Sequence, residues 1–221
     1  VVTYDVLQAS INPSDTGGDI RGVMVNNITS HHSNIDRCVV IAPNAGNVIS
    51  GVKIDGVHAY GIGYLAVQFT TNLNESGTVQ DADVRNITGG FAGSASTIAA
   101  VNLSSGGTGT LTVGNILIDG VKPREPSSYA LVSVSDRVTF KEITIRNAKQ
   151  RPLSLADVIT VSGSNVTGEV VNIEDCRGDW DLTNAAAGMH LALIASASVK
   201  RARISRSRIT GTGTTRTGYM Y

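Results

Sequence analysis

Val52-Lys53-Ile54-Asp55-Gly56-Val57 decides the fold, because the same six-residue pattern returns along the whole chain. The order apolar, variable, apolar, variable, turn, apolar recurs at residues 23–28 (VMVNNI), 82–87 (ADVRNI), 116–121 (ILIDGV), 143–148 (ITIRNA), 171–176 (VNIEDC) and, in weaker form, 202–207 (ARISRS). Successive copies lie 29, 30, 34, 27, 28 and 31 residues apart. The chain is therefore predicted to contain about seven repeats of roughly 30 residues.

Each copy is predicted to be a strand that ends in a tight turn. The alternation of apolar and polar residues is typical of a strand. The fifth position, named here the turn column, reads Asn27, Gly56, Asn86, Gly120, Asn147, Asp175 and Arg206. Glycine and asparagine enter the left-handed backbone region at the lowest cost, so the column predicts a positive φ in each repeat. Arg206 departs from this pattern.

Strand-rich repeats of this length, without helical periodicity, favour an all-β solenoid in which each repeat is one coil. The outward residue before the turn supports the stacking register independently. It reads Asn26, Asp55, Arg85, Asp119, Arg146, Glu174 and Ser205. The charge alternates in sign over the middle five, as stacked neighbours prefer.

Two further strands are expected in each coil, which makes three short strands per coil. Second strands are predicted at residues 38–42, 65–69, 99–103, 130–134, 158–161 and 191–194, after a loop of variable length. Third strands are predicted at residues 48–49, 78–79, 111–113, 138–140, 166–167 and 199–200. The turns between them are polar and rich in glycine.

The composition fits one elongated domain over residues 1–221, with 41% hydrophobic residues and 24 glycines. Residues 1–20 are predicted to form a partial first coil and residues 208–221 to begin a further one, as in a piece of a longer protein. The 18 basic and 18 acidic residues balance. No global basic field favours nucleic acid, and the chain has neither an 18-residue apolar run for membrane insertion nor a visible signal peptide.

The charge is nevertheless uneven along the chain. Beyond Asp181 the sequence has six basic residues and no acidic one: Lys200, Arg201, Arg203, Arg206, Arg208 and Arg216. We interpret this as a coil whose stacking partners lie beyond the last residue, with an anion-binding patch as the alternative.

The two cysteines are predicted to be small core residues. Cys38 and Cys176 are about five coils apart, outside disulfide reach at about 4.8 Å per coil. Neither belongs to a metal-type cluster. His31 and His32 are adjacent, so on a strand they point apart, and no metal or other cofactor is expected.

One segment of the repeat collects the flat side chains. Ten of the 14 aromatic and histidine residues fall between the turn column and the second strand: His31, His32, His58, Tyr60, Tyr64, Phe91, Tyr129, Trp180, His190 and Tyr219. The basic residues Arg37, Lys122, Arg124, Lys149, Arg151 and Arg177 share this segment. Because coils superimpose, the segment becomes one lateral face. Aromatic rings and guanidinium groups suit a polysaccharide ligand, whereas loop packing or a subunit contact is the alternative.

The best local group for glycoside chemistry is Asp179-Trp180-Asp181. Hydrolysis needs two carboxyl groups either about 5 to 5.5 Å or about 6.5 to 9.5 Å apart, and a solvated loop with local turn bonding is the alternative role. Asp157, one coil earlier, is expected beside His190. The candidate catalytic residues are therefore Asp179 and Asp181. The candidate substrate-binding residues are Trp180, His190, Tyr129, Arg124, Arg151 and Arg177.

The coil length, the Asn/Gly turn column and the aromatic lateral face together resemble the right-handed, single-stranded parallel β-helix of the pectate-lyase-like superfamily. The chain is most similar to bacteriophage tailspikes and capsule depolymerases, in which three chains form a trimer. The polygalacturonase motifs (NTD, DD, GHG, RIK) and the pectate lyase RxPxxR motif are absent. The resemblance covers almost the whole chain, but it is architectural and carries over no catalytic motif.

The resemblance implies a homotrimeric protein of a virion tail that binds and cleaves a bacterial surface polysaccharide, namely a capsule, O-antigen or exopolysaccharide. If the protein is an enzyme, it would be a polysaccharide glycosidase or lyase. Two alternatives stay open at this point: a non-catalytic receptor-binding fibre, and a secreted or cell-surface adhesin of autotransporter type, which would be a monomer.

Overall fold

A computed structural model describes residues 9–11, 18–30, 37–59, 65–89, 99–123, 130–150, 157–181 and 190–212. These residues form β1 Ala9–Ile11, β2 Ile20–Arg21, β3 Met24–Ser30, β4 Arg37–Ile41, β5 Val48–Ser50, β6 Val52–Ala59, β7 Leu65–Phe69, β8 Gly77–Gly89, β9 Val101–Leu103, β10 Leu111–Pro123, β11 Val132–Val134, β12 Val138–Arg146, β13 Lys149–Gln150, β14 Ile159–Ser162, β15 Thr167–Glu174, β16 Arg177–Asp181, β17 Ala192–Ala195, β18 Ser198–Ser205 and β19 Arg208–Thr212.

The strands form three parallel sheets. Sheet A has the order β1-β4-β7-β9-β11-β14-β17, so each strand pairs with its equivalents in the neighbouring coils. Sheet B runs β18-β15-β12-β10-β8-β5-β2, with β6 between β3 and β8, and sheet C is β13-β16-β19. The described residues are thus a parallel β-solenoid, which confirms the predicted fold class.

Two details differ from the prediction. The solenoid has about five complete turns instead of seven, because the copies at the two ends form only part of a coil. The predicted third strand also runs directly into the first strand of the next copy in β8, β10, β12, β15 and β18. The pairing register skips one residue at each junction, as at Gln80 beside Gly114 and at Lys141 beside Glu169, so the two segments are joined by a one-residue break in the ladder and not by a separate turn.

A column of inward-pointing side chains, named here the interior column, shows how neighbouring coils are aligned. It consists of Val25, Ile54, Val84, Ile118, Ile145, Ile173 and Ile204, each paired with the next. The middle members are at most 1% exposed, whereas Ile204 is 47% exposed in β18, which has one described neighbour in sheet B. Burial of aliphatic side chains in this column and in sheet A supplies the main stabilisation.

The turn column confirms the predicted backbone geometry. All seven members have a positive φ, between 48° at Arg206 and 80° at Gly120. Arg206, which breaks the sequence pattern, adopts the conformation nonetheless, and its guanidinium group donates two hydrogen bonds of 2.9 Å to Asp175 in the preceding coil. Neighbouring coils therefore impose the turn even where the residue type does not favour it.

Candidate functional site

A second column of side chains lies two residues beyond the turn column, on the outside of the solenoid. This lateral column consists of Thr29, His58, Thr88, Lys122, Lys149, Arg177 and Arg208. The first four pair in register through β3, β6, β8 and β10, and the last three pair through sheet C. The two groups adjoin, because β10 contacts β13 and because Lys122 and Lys149 line one groove.

The lateral column changes character along its length. Thr29, His58 and Thr88 are half-buried and uncharged or weakly basic, and the His58 Nδ1 atom lies 2.6 Å from Thr88 Oγ1. The last four members are exposed cations in consecutive coils. With strands about 4.8 Å apart, four positive charges fall within about 14 Å. Like charges directly opposite each other in a sheet are destabilising.

Only one of these four cations forms an ion pair among the described residues. Lys149 Nζ lies 3.6 Å from Asp179 Oδ2. Lys122, Arg177 and Arg208 have no carboxylate within ion-pair distance in the described part of the chain. Within the described part of the chain, the column is therefore mostly positive charge without an ion-pair partner.

A groove of about 320 Å³ accompanies the column. It is lined by Lys122, Asn147, Ala148, Lys149, Asp175 and Arg177. Asp175 is held by Arg206, whose hydrogen bonds to the carboxylate lower the pKa of Asp175 below its usual value. Its charge is thus already matched by another coil, and the groove keeps its cationic character.

Asp179, a predicted catalytic residue, lies in β16 on the same lateral side. Its carboxylate accepts a hydrogen bond of 2.7 Å from Thr210 Oγ1 and contacts Lys149. Asp181 follows two positions later in the same strand and is paired with Thr212 through the backbone. The backbone positions of residues two apart on a strand are separated by about 6.6 Å, which is comparable with the carboxyl separation that inverting glycoside hydrolysis uses.

The structure confirms the predicted contact between Asp157 and His190. The Asp157 Oδ1 atom accepts a hydrogen bond of 3.0 Å from the His190 backbone N–H and lies 2.8 Å from His190 Nδ1. The Asp157 side chain is 16% exposed and that of His190 is 42% exposed. The carboxylate holds the ring in one orientation just before β17.

Several predicted site residues cannot be compared with the structure. Arg124, Tyr129 and Arg151 lie outside the described residues, as do His31, His32, Tyr60, Tyr64, Phe91 and Tyr219. For Trp180 and Asp181 only the backbone is described. Arg177 lies in the lateral column, and the structure brings it close to Lys149 and Lys122, which the sequence placed on the same face.

Sequence reasoning missed Arg208. It was assigned to the basic end of the chain, whereas the structure pairs it with Arg177 in sheet C. Its position two residues after the turn column would have identified it. Two acidic residues of the preceding coil also neutralise part of the basic end. Glu169 lies 3.2 Å from Lys200, and Asp175 lies 2.9 Å from Arg206.

The cysteines are confirmed as buried and unpaired. Burial raises the pKa of Cys38 above its usual value and raises the pKa of Cys176 to about 11. A protonated thiol is a poor nucleophile, so neither contributes to a reactive site at neutral pH.

The carboxylates beside the turn column have structural partners. Asp55 accepts a hydrogen bond of 2.7 Å from the Asn86 amide, and Asp119 accepts one of 2.7 Å from Asn147. The predicted charge ladder is in register, but Arg85 binds Asp83 of its own strand and only Arg146 with Glu174, at 3.4 Å, pairs along the ladder. These acids therefore stabilise the coils.

Comparison with known proteins does not assign this chain to a family. No protein-family model, curated protein sequence or solved structure matches this chain. Among the described residues, no helix is long and apolar enough to cross a membrane.

Proposed function

We propose that the protein binds a bacterial surface polysaccharide along its lateral face, in the manner of a phage tailspike of the pectate-lyase-like β-helix type. The observation that supports this most is the lateral column, which repeats one outward position in seven successive copies of the sequence repeat. A surface with a regular repeat over about 29 Å suits a linear polymer better than a compact ligand.

The hydrogen-bonding groups of the lateral face also suit sugars. Hydroxyl, imidazole, ammonium and guanidinium groups stand next to one another in adjacent coils and can bind hydroxyl or carboxylate groups along a glycan. In a trimeric virion tail, three such faces would bind one cell surface at once, which increases avidity without a new contact.

The proposal can be tested by blocking the lateral face with a bulky group. Thr210→Cys introduces a thiol at an exposed position beside Asp179, whereas both native cysteines are buried. After alkylation with a polyethylene glycol maleimide, the protein should lose binding to capsular, O-antigen and exopolysaccharide preparations in affinity electrophoresis. Thr112→Cys, exposed on sheet B and alkylated in the same way, is the matched control and should still bind. Equal binding by both conjugates, or no binding by the unmodified protein, would reject the proposal.

Cleavage is the second candidate activity, supported by the two carboxylates of β16 two residues apart. Asp179→Asn and Asp181→Asn should each abolish release of reducing ends from a bound polysaccharide while binding persists. A wild-type protein that binds without releasing any fragment would favour the receptor-binding fibre instead. Unchanged turnover in both variants would reject these two residues as the catalytic pair.

A further inference from the structure

The four stacked cations of the lateral column indicate the charge of the ligand, which the proposed function leaves open. Lys122, Lys149, Arg177 and Arg208 repel one another at the spacing of adjacent strands, and fold stability gives no reason to place them in one column. The alternating charges of the neighbouring ladder show that this chain also places opposite charges in stacked positions, as in Arg146 with Glu174. The run of like charge therefore needs a partner from outside the described residues.

We propose that this partner is an acidic polysaccharide, whose carboxylate or other anionic groups bind along the cationic half of the lateral column. The inference rests on the proposed function and specifies its substrate class. Lysine and arginine bind such groups with charge-assisted hydrogen bonds. The column offers one cation about every 4.8 Å, which is close to the advance of one sugar residue along an extended chain.

The surroundings of the column favour a slender polymer with sparse charge over a nucleic acid. Asp179 contacts Lys149, so a carboxylate interrupts the positive surface within the column. Duplex DNA has one charge per about 1.7 Å of its axis and needs a broad basic surface. The chain as a whole has no net charge.

The two halves of the column give the ligand a direction. The half formed by Thr29, His58 and Thr88 adjoins the cationic half at Lys122. Hydroxyl and imidazole groups suit neutral sugar hydroxyls. A polymer with both charged and neutral residues would thus place its acidic stretch over sheet C.

The experiment compares linear acidic polysaccharides with their carboxyl-reduced forms. Alginate, hyaluronan, polysialic acid and polygalacturonate are the probes, and binding is measured by calorimetry at 50 and 300 mM salt. At least one acidic polymer should bind at least roughly tenfold more tightly than its reduced form, with affinity that falls as salt rises. Arg177→Gln, Lys149→Gln and Arg208→Gln should each weaken this binding roughly tenfold.

Arg203→Gln is the matched control, because Arg203 is an exposed cation on β18, outside the lateral column, with no ion pair among the described residues. It should change the affinity less than twofold, since a remote surface charge acts only through screened interactions. Asp179→Asn should strengthen binding, because it removes the carboxylate that competes for Lys149. An equal loss in Arg203→Gln and Arg177→Gln would overturn the inference.

The failures of the two proposals are distinguishable. If acidic and reduced polymers bind equally and the Thr210 conjugate blocks both, the lateral face binds polysaccharide but the acidic inference is wrong. If no polymer binds in either form, both are wrong. A 30-nucleotide single-stranded DNA that binds more tightly than every polysaccharide, with the same loss in Arg177→Gln, would replace the polysaccharide by a nucleic acid.

Discussion

The interior column and the lateral column are four residues apart in every copy of the repeat and are both stacked by parallel strand pairing, yet they use this stacking in opposite ways. Val84, Ile118 and Ile145 put like side chains on top of one another inside the solenoid, where contact between aliphatic groups is favourable. Lys149, Arg177 and Arg208 put like charges on top of one another outside, where contact is unfavourable. The first column explains the fold, whereas the second opposes it, and this contrast is the basis of the proposal that the lateral column binds an acidic polymer.

The largest effect is expected in the interior column. Ile145→Ala removes a fully buried side chain that has paired neighbours on both sides, so it should lower the free energy of unfolding by about 2 to 5 kcal/mol. Urea unfolding followed by circular dichroism measures this. Ile145→Val, the milder control, should cost about 1 kcal/mol. A loss below about 1 kcal/mol for Ile145→Ala would mean that the column is not the main source of stability.

A second interior position tests whether stability also depends on the fit between stacked side chains. Gly168 pairs with Phe140, and a Cβ atom at Gly168 would overlap the Phe140 ring. Gly168→Ala should therefore cost about 1 to 3 kcal/mol in the same unfolding experiment.

The matched test for this position is Phe140→Leu in the Gly168→Ala background. The smaller side chain leaves room for the added methyl group, so the double variant should be more stable than the sum of the two single losses predicts. Strictly additive losses would show that the ring and the glycine are not coupled.

The smallest effect is expected in the lateral column. Arg177→Gln removes an exposed charge that is repelled by its neighbours, so the free energy of unfolding should stay within about 0.5 kcal/mol of the original value. Thermal unfolding at low salt is the most sensitive measurement, since screening is weakest there. Arg146→Gln is the control, because it removes an ion pair with Glu174. A loss above about 1 kcal/mol for Arg177→Gln would give the lateral column a structural role.

Much of the fold could be predicted because the interior column and the turn column depend on short-range rules. Apolar alternation determines which residues point inward, and the requirement for a positive φ favours Asn or Gly at the turn. Both fix the register, so Ile54, Ile118 and Ile173 fall into one column as expected. The turn at Arg206 could not be inferred from its residue type, because the neighbouring coil imposes it.

The candidate site was less predictable because its contacts are between exposed charges. Such pairs differ little in energy, so sequence cannot decide that Arg85 binds Asp83 and not Asp55 or Asp119. The contact between Asp157 and His190 was predictable because each lies two residues before a strand, and these strands stack in sheet A. Contacts between equivalent positions of stacked strands can thus be predicted once the repeat is aligned. Diagonal contacts, such as that of Lys149 with Asp179, cannot.

The turn column has one more consequence. From Val25 to Thr29 and from Ile204 to Arg208, the step between the two columns is the same, so all variation in repeat length falls in the rest of each coil. Insertions and deletions can accumulate there without altering the pitch at which lateral side chains are presented. Single substitutions in the lateral column can therefore change the chemistry of this face while the spacing of its side chains stays the same.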